Sequence, residues 1–322
     1  MRVDAAHRYA STLLLIAAAV LCAARPAAAE DWPARPVTLV LSFAGGGLMD
    51  FAARSIAQDL TATLGRPVVV ETKQGGGGVV GAIDVAKARP DGYTFLITAI
   101  GPMVFRPLTD KNVGFDTDKD FTPIILVGDS PNVVLASPKL GVDNIKELLA
   151  YAARHNHQLT IAHPGPGTMG QLCGVQLAAK AGIHGTFVAY RGATPIITDL
   201  MGGQVDIGTP AYGPGAGAVK ILAVTGDERL ASLPEVPTLK ESGVDVVCAT
   251  WIAIYGPAGV PRPIVDKLNT AIDGYLRKPE TQAAFGKIGM RLIGGPPERL
   301  RERVIADRAE WSKIIAGLNL SK

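Results

Sequence analysis

The chain is short of the residues that build catalytic centres and nucleic-acid surfaces. Its 322 residues include five histidines and three cysteines. No Gly-x-Ser-x-Gly elbow, Walker loop or His-Glu-x-x-His occurs, so nothing in the pattern joins a nucleophile to its base or marks a helical zinc site. His155-x-His157 has no Cys or carboxylate at metal-ligand spacing and reads as the solvated end of a polar helix. Neither charge sign dominates: 32 basic residues stand against 29 acidic ones. That balance implies no basic face for nucleic acid and no polybasic membrane patch. Aromatic residues make up 6% of a chain that is 48% hydrophobic, a balance that suits a soluble α/β protein long enough for two lobes.

The apolar run Leu13 to Leu21 is too short to span a membrane comfortably. Arg2, His7 and Arg8 precede it and Ala27-Ala28-Ala29 follows, the order of a secretory signal peptide with cleavage expected before Glu30. Leu21 is a poor small residue for a lipoprotein site at Cys22, and there is no twin arginine. Removing residues 1–29 takes away Arg2, Arg8, Arg25 and Asp4, leaving 29 basic against 28 acidic residues, or +1. Cys173 and Cys248 remain. They can pair in an oxidising compartment, and they read equally well as buried free thiols.

The stretch from Val37 to Asp50 organises what is present. A β-rich apolar run enters Gly45-Gly46-Gly47, and from Asp50 the apolar residues Ala53, Ile56, Ala57, Leu60 and Leu64 recur at helical spacing. The glycines join a strand to a helix, with Asp50 as a candidate N-cap. Their unshielded N–H groups and the positive end of the helix can hold a phosphate or carboxylate without a charged side chain. Pro67 to Glu71 follows as a buried-type strand. Then come the run Gly75 to Gly78, a helix, the turn Pro90-Asp91-Gly92 and the strand Tyr93 to Ala99. This β-α-β-α-β order predicts a parallel sheet with covering helices.

A second unit repeats the pattern. Strand Gln158 to Ala162 runs into a loop, His163 to Thr168, and a helix ending at Ala181. Strand Thr186 to Tyr190 leads through Arg191-Gly192-Ala193-Thr194-Pro195 into a helix that Gly202-Gly203 stops. Thr122 to Ala136 and Val247 to Tyr255 read as the two crossings between lobes. Pro263 to Leu276, Glu280 to Ile288 and Pro297 to Ile315 read as closing helices. Ligands of open α/β sheets sit where strand carboxyl ends meet helix N-termini, so the expected site is the cleft, with His163 as a candidate contact.

Gly76-x-Gly78-x-x-Gly81 and Gly165-x-Gly167-x-x-Gly170 match the dinucleotide pattern. The acidic residue due at the end of the next strand is replaced by Tyr190-Arg191, and Pro166 removes a donor. An exported protein also has little access to NAD. The same geometry suits a carboxylate.

Six motifs then occur in order: Phe43-x-x-Gly46-Gly47-x-x-Asp50, Arg89-Pro90-Asp91-Gly92-Tyr93-Thr94, Tyr190-Arg191-Gly192, Asp199 to Asp206, Leu233 to Thr238, and Gly256 to Pro261. With them the chain resembles a Bug-family solute-binding protein, the extracytoplasmic receptor of tripartite tricarboxylate transporters. The resemblance implies an α/β two-lobe periplasmic-binding-protein fold (a type II Venus flytrap) with two crossing strands. Lobe one would take residues 30–130 and 252–322, and lobe two residues 131–251. It implies a periplasmic monomer that closes on a small carboxylate, without metal or cofactor, and delivers it to membrane permease subunits. The family's cleft motifs map onto Phe43, Gly46, Gly47, Leu48, Met49 and Asp50, and onto Thr98, Ile100 and Gly101. In lobe two they map onto His163, Gly165, Gly167 and Thr168, onto Tyr190, Gly192, Ala193 and Thr194, and onto Thr209.

Met49, Ala99, Ile100, Pro166 and Ala193 stand where members of that family usually carry hydroxyls or an amide. These departures imply a carboxylate with an apolar body rather than citrate. The chain is about five residues short after Asp206, and Pro210 to Gly217 replaces what is usually a helix. Two other readings use the same scaffold: a sensory receptor for a signalling partner, and a periplasmic lyase or hydrolase. No acid–base pair in the loops supports the enzyme.

Overall fold

The computed structural model describes residues 32–156 and 158–317. The expected leader, residues 1–29, and His157 lie outside the described residues.

β1 (Val37–Leu41) is buried along almost its whole length, as a strand covered on both faces must be. α1 (Leu48–Leu64) buries Ala53, Ile56, Ala57 and Leu60 along one face and ends at Gly65, whose φ is 68°. β2 (Val68–Thr72) pairs parallel with β1 but forms the sheet edge, and Val69 is 52% exposed. It is therefore not the buried strand that its valines suggest. A β-branched run marks a strand without saying how many of its faces are covered. α2 (Val79–Ala86) leads to β3 (Thr94–Ala99), which pairs parallel with β1 on the other side. A π-helical turn at Gly101–Phe105 and the short α3 (Arg106–Thr109) follow. The apolar periodicity does not announce either. β4 (Phe121–Pro131) then runs out of this sheet.

The second sheet begins at once with β5 (Val133–Ala136). α4 (Ile145–Arg154) is capped by Asn144, whose side chain accepts from Glu147 N–H. β6 (Gln158–His163), α5 (Met169–Ala181), β7 (His184–Ala189) and α6 (Ala193–Met201) make two successive strand–helix units. β8 (Ile207–Gly208) and β9 (Lys220–Val224) complete the sheet. Its order is β7-β6-β8-β5-β9, with β6 parallel to β7 and β8 and β5 antiparallel to β8 and β9.

The chain returns through β10 (Ala249–Pro257), which inserts antiparallel between β3 and β4. α7 (Arg262–Leu276), α8 (Pro279–Lys287), β11 (Arg291–Leu292) and α9 (Pro297–Gly317) finish the first lobe. The first sheet runs β11-β4-β10-β3-β1-β2, so it is mixed rather than wholly parallel. Trp251 on β10 is fully buried and donates from Nε1 to Asp307 Oδ2 of α9 at 2.6 Å. Arg303 Nε holds the same carboxylate at 2.9 Å. The buried indole thus has the partner that its N–H requires.

Two passages join the sheets, a short one at Asn132 between β4 and β5 and a longer one from β9 to β10, which ends at Cys248. Asn132 binds both. Its Nδ2 donates to Thr209 O at 3.0 Å, and its Oδ1 accepts from Thr250 Oγ1 at 2.9 Å. Its own carbonyl accepts from Thr225 N–H at 2.9 Å. Cys173 of α5 and Cys248 form a disulfide across 75 residues of chain, and both are buried. Of the two readings open from sequence, the pair is the one observed.

Closing a loop of that length reduces the entropy of the unfolded chain by up to about 4 kcal/mol in free-energy terms. We expect Cys173→Ala/Cys248→Ala to fold but to lose about 2–4 kcal/mol in urea unfolding. An unchanged midpoint would show that the link constrains nothing in the unfolded chain.

Candidate functional site

Four loops, each leaving the carboxyl end of a parallel strand, form the gap between the lobes. After β1, Ser42 turns inward and its Oγ lies 3.1 Å from Thr98 Oγ1, so Thr98 is buried inside lobe one. Phe43 lies against Gly78 and Pro102, where an added Cβ at Gly78 would stand 2.9 Å from the ring. Gly47, at φ −94°, precedes the first residue of α1, Leu48. Asp50 is therefore not the N-cap. It is the third helical residue, and its Oδ2 accepts from Gly46 N–H at 3.0 Å, as an acid one turn into a helix often does. Arg54 Nε sits 2.8 Å from its other oxygen. The Gly46 N–H, expected to serve a bound anion, is thereby already engaged.

In lobe two, Thr168 caps α5. Its Oγ1 accepts from Gln171 N–H at 3.3 Å and donates to Gly165 O at 2.7 Å. Gln171 Oε1 in turn accepts from Gly167 N–H at 2.7 Å. His163 is buried, with Nδ1 2.9 Å from Gly165 O and 3.3 Å from Gly165 N. Burial holds its pKa below the ordinary histidine value, against the opposing pull of that hydrogen bond. Tyr190 turns away from the cleft and donates to Asp199 Oδ2 at 2.5 Å. Burial, followed by the hydrogen bond to Asp199, pushes its hydroxyl up to about 12. Thr209 is buried and donates to Gly170 O at 2.8 Å.

The loops border a cavity whose empty space, counting the open solvent at its mouth, is about 610 Å³. Nine of the residues nominated from sequence line it: Phe43, Gly47, Leu48, Met49, Ile100, Gly101, Thr168, Gly192 and Ala193. The other nine do not. Asp50, Thr98, His163, Tyr190 and Thr209 face partners within their own lobes, as described. Gly46, Gly165, Gly167 and Thr194 lie at the rim, where the lobes touch; a Cβ added at Gly46 would stand 3.0 Å from Thr194 Oγ1. Thr194 Oγ1 donates to Gly45 O at 2.7 Å, and nearby Ala44 N–H donates to Arg191 O at 2.9 Å.

Several lining residues were not nominated from sequence. Asn132, Thr250 and Ile252 form part of the wall at the crossings. The two crossings legible in the sequence had to border any cleft between the lobes, and that signal could have found them. Met169 and Gly170, the first residues of α5, also line it; Ala44 and Pro164, which line it too, lie inside the stretches Phe43 to Asp50 and His163 to Thr168 that the resemblance places in the cleft. Pro210 and Ala211 bring in the shortened segment, whose Gly213 packs against Leu48 of α1.

The N-terminal ends of α1, α5 and α6 and of the π-helical turn all border this cavity. The first N–H groups of a helix have no intrahelical partner, and its N-terminus carries positive potential. No charged side chain lines the cavity; Asn132, Thr168 and Thr250 are its polar side chains, and Phe43, Leu48, Met49, Ile100, Met169 and Ile252 give it apolar walls. The arrangement can hold an anionic head and an apolar body together. Among the described residues, no group of three or more His, Cys, Asp and Glu is placed to hold a metal ion.

The family model described as "Tripartite tricarboxylate transporter family receptor" matches residues 52–320. A UPF0065 protein from the tcbD–tcbE intergenic region of Pseudomonas sp. (strain P51) is 34% identical over 301 residues, covering 91% of this chain and 89% of its own. Among solved structures, the periplasmic binding protein BugD is 35% identical with a TM-score of 0.84, covering 89% of this chain and 98% of its own. Rpa4515 of R. palustris, solved with adipate, is 33% identical with a TM-score of 0.85, covering 89% of this chain and 99% of its own.

Burial of His163 gives a pH dependence with a definite sign. The folded pKa lies below the unfolded value, about 6.5, so the unfolded chain binds more protons between the two. The stabilisation is fully present above about pH 6.5 and is lost as pH falls toward the folded pKa. Urea midpoints at about pH 5 and about pH 7.5 should differ less in His163→Gln than in the parent. An equal difference in both proteins would remove His163 as the cause.

Proposed function

The chain belongs to the tripartite tricarboxylate transporter receptor family, and on that premise we propose that it captures a small carboxylate with an apolar body in the cavity between its lobes. The observation that carries this reading is the meeting of four helical N-termini, drawn from both lobes, around walls without a charged side chain. The carboxylate takes the uncommitted N–H groups at these helix ends. The body lies against Phe43, Met49, Ile100 and Ile252, where each buried CH₂ gains about 0.8 kcal/mol. A ligand hydroxyl left without a partner there would cost about 1–3 kcal/mol, which sets citrate at a disadvantage.

Lobe one comprises residues 30–130 and 252–322 in this reading, and lobe two residues 131–251. The protein works in the periplasm as a monomer, after loss of residues 1–29, and presents its ligand to membrane permease subunits. No lining side chain is a titratable acid or base, which favours a receptor over an acid–base enzyme. The family and the solved neighbours are likewise receptors and binding proteins.

The test is calorimetry on ligand-stripped protein with adipate, benzoate, malate and citrate. Adipate or benzoate should bind more tightly than citrate, and citrate as the tightest ligand would overturn the apolar-body reading. Gly47→Val supplies a second check. Gly47 has an extended backbone, φ −94° and ψ −173°, so valine introduces no left-handed strain, contrary to what the glycine run suggests. An added Cβ would lie 3.6 Å from Ala193 Cβ, narrowing the cavity between two helix ends. We expect at least about a tenfold loss of affinity, about 1.4 kcal/mol, with an unchanged circular dichroism spectrum. Undiminished binding would move the head group away from this wall.

A further inference from the structure

The two sides of the rim close in different ways. On one side hydrogen bonds join Ala44 to Arg191 and Thr194 to Gly45. On the other, backbone meets backbone. Gly77, outside the cavity lining, has φ 67° and ψ 28°. A Cβ added there would fall well inside contact distance of Pro166 O and 3.3 Å from Thr168 Cγ2. A Cβ on Gly165 would stand 2.8 Å from Gly77 Cα, and one on Gly101 would stand 2.7 Å from Gly167 O. Among the described residues, Gly77 makes no hydrogen bond across this contact. The two glycine patterns that resemble dinucleotide fingerprints are thus opposite faces of one steric seam.

We propose that Gly77 is a positioning residue for ligand capture: without touching the ligand, it sets how far the two lobes close. Any side chain at 77 meets the Pro166 carbonyl, which is backbone and cannot rotate aside. The lobes must then stop short, and the cavity wall contributed by lobe two stands away from the wall of lobe one. The consequence for affinity rests on the receptor reading above, but the closure itself is measured without a ligand.

Gly47 and Ala193 supply the gauge. Their Cβ positions are 3.6 Å apart across the cleft, within the span of about 3.5–4.5 Å that a disulfide takes. In protein prepared without residues 1–29, which carry Cys22, the bonded pair Cys173–Cys248 leaves no free thiol to compete. The pair Gly47→Cys/Ala193→Cys is oxidised, and cross-linking is followed by mass spectrometry in three backgrounds: the parent, Gly77→Ala and Gly65→Ala. Gly65 shares the left-handed backbone, at φ 68°, with nothing within 4 Å of an added Cβ, so it controls for strain alone. The parent and Gly65→Ala should cross-link at similar rates, and Gly77→Ala at least about tenfold more slowly. Should Gly77→Ala fail to fold, Gly101→Ala, which has no positive φ, should show the same slowing.

Cross-linking of Gly77→Ala at the parent rate overturns the proposal. So does equal slowing in Gly65→Ala, or the absence of cross-linking in every background. Affinity for adipate, measured without the cysteine pair, completes the test. Slower cross-linking with a matching loss of affinity supports the positioning role, and slower cross-linking with affinity retained overturns it. If adipate binds no variant, the ligand reading fails while the cross-linking result on closure stands.

Discussion

The site depends on one constraint: both sheets point the carboxyl ends of parallel strands at the same gap. β1 and β3 do so from the first lobe, and β6 and β7 from the second. A helical turn that follows each strand must begin near that end, so four helical N-termini arrive together. The crossings at Asn132 and Cys248 hold the two sheets in this opposition. Asn132 belongs at once to the passage, to the second lobe through Thr209 and to the other passage through Thr250.

Such a site can hold negative charge with partial charges alone. A helix end contributes about 0.3–1 kcal/mol when exposed and up to about 2 kcal/mol when partly buried. A lysine or arginine in the same place would attract more strongly, but its own desolvation would offset much of that gain. Fixed N–H groups also need little reorganisation as the anion arrives. Asp50, one turn into α1, is the charge that could oppose this arrangement. Gly46 N–H and Arg54 hold its two oxygens, and its side chain does not line the cavity.

Much of this was legible because it is local. Val37 to Leu41 followed by three glycines and a helical period defines a strand, a loop and a helix, and the same grammar recurs around Thr168 and Ala193. What was not legible depends on direction. Thr98 and Ala99 are neighbours on one strand, yet only Ala99 borders the cavity, because successive side chains point to opposite faces. Tyr190 sits in a cleft motif, but Asp199, nine positions on, claims its hydroxyl. Asn132, Thr250 and Ile252 are far from the glycine loops in sequence and join them only through the topology. The valine run of β2 failed as a sign of burial for a related reason: its place at the edge follows from where β10 inserts, some 180 residues later.

A cavity built in halves also ties binding to shape. Leu48, Met49 and Gly101 belong to one lobe and Thr168, Met169 and Ala193 to the other, so on the proposed reading an anion meeting separated lobes would reach only one set of N–H groups. Whatever the second set contributes would become available only on closure. That difference in contact free energy would shift the population toward the closed form. The rim contacts between Ala44 and Arg191 and between Gly77 and Pro166 contain no ligand atoms and form only when the lobes meet. They stabilise or limit the closed form without distinguishing one ligand from another. On the proposed reading, ligand discrimination would fall to the apolar walls, and the extent of closure to the rim.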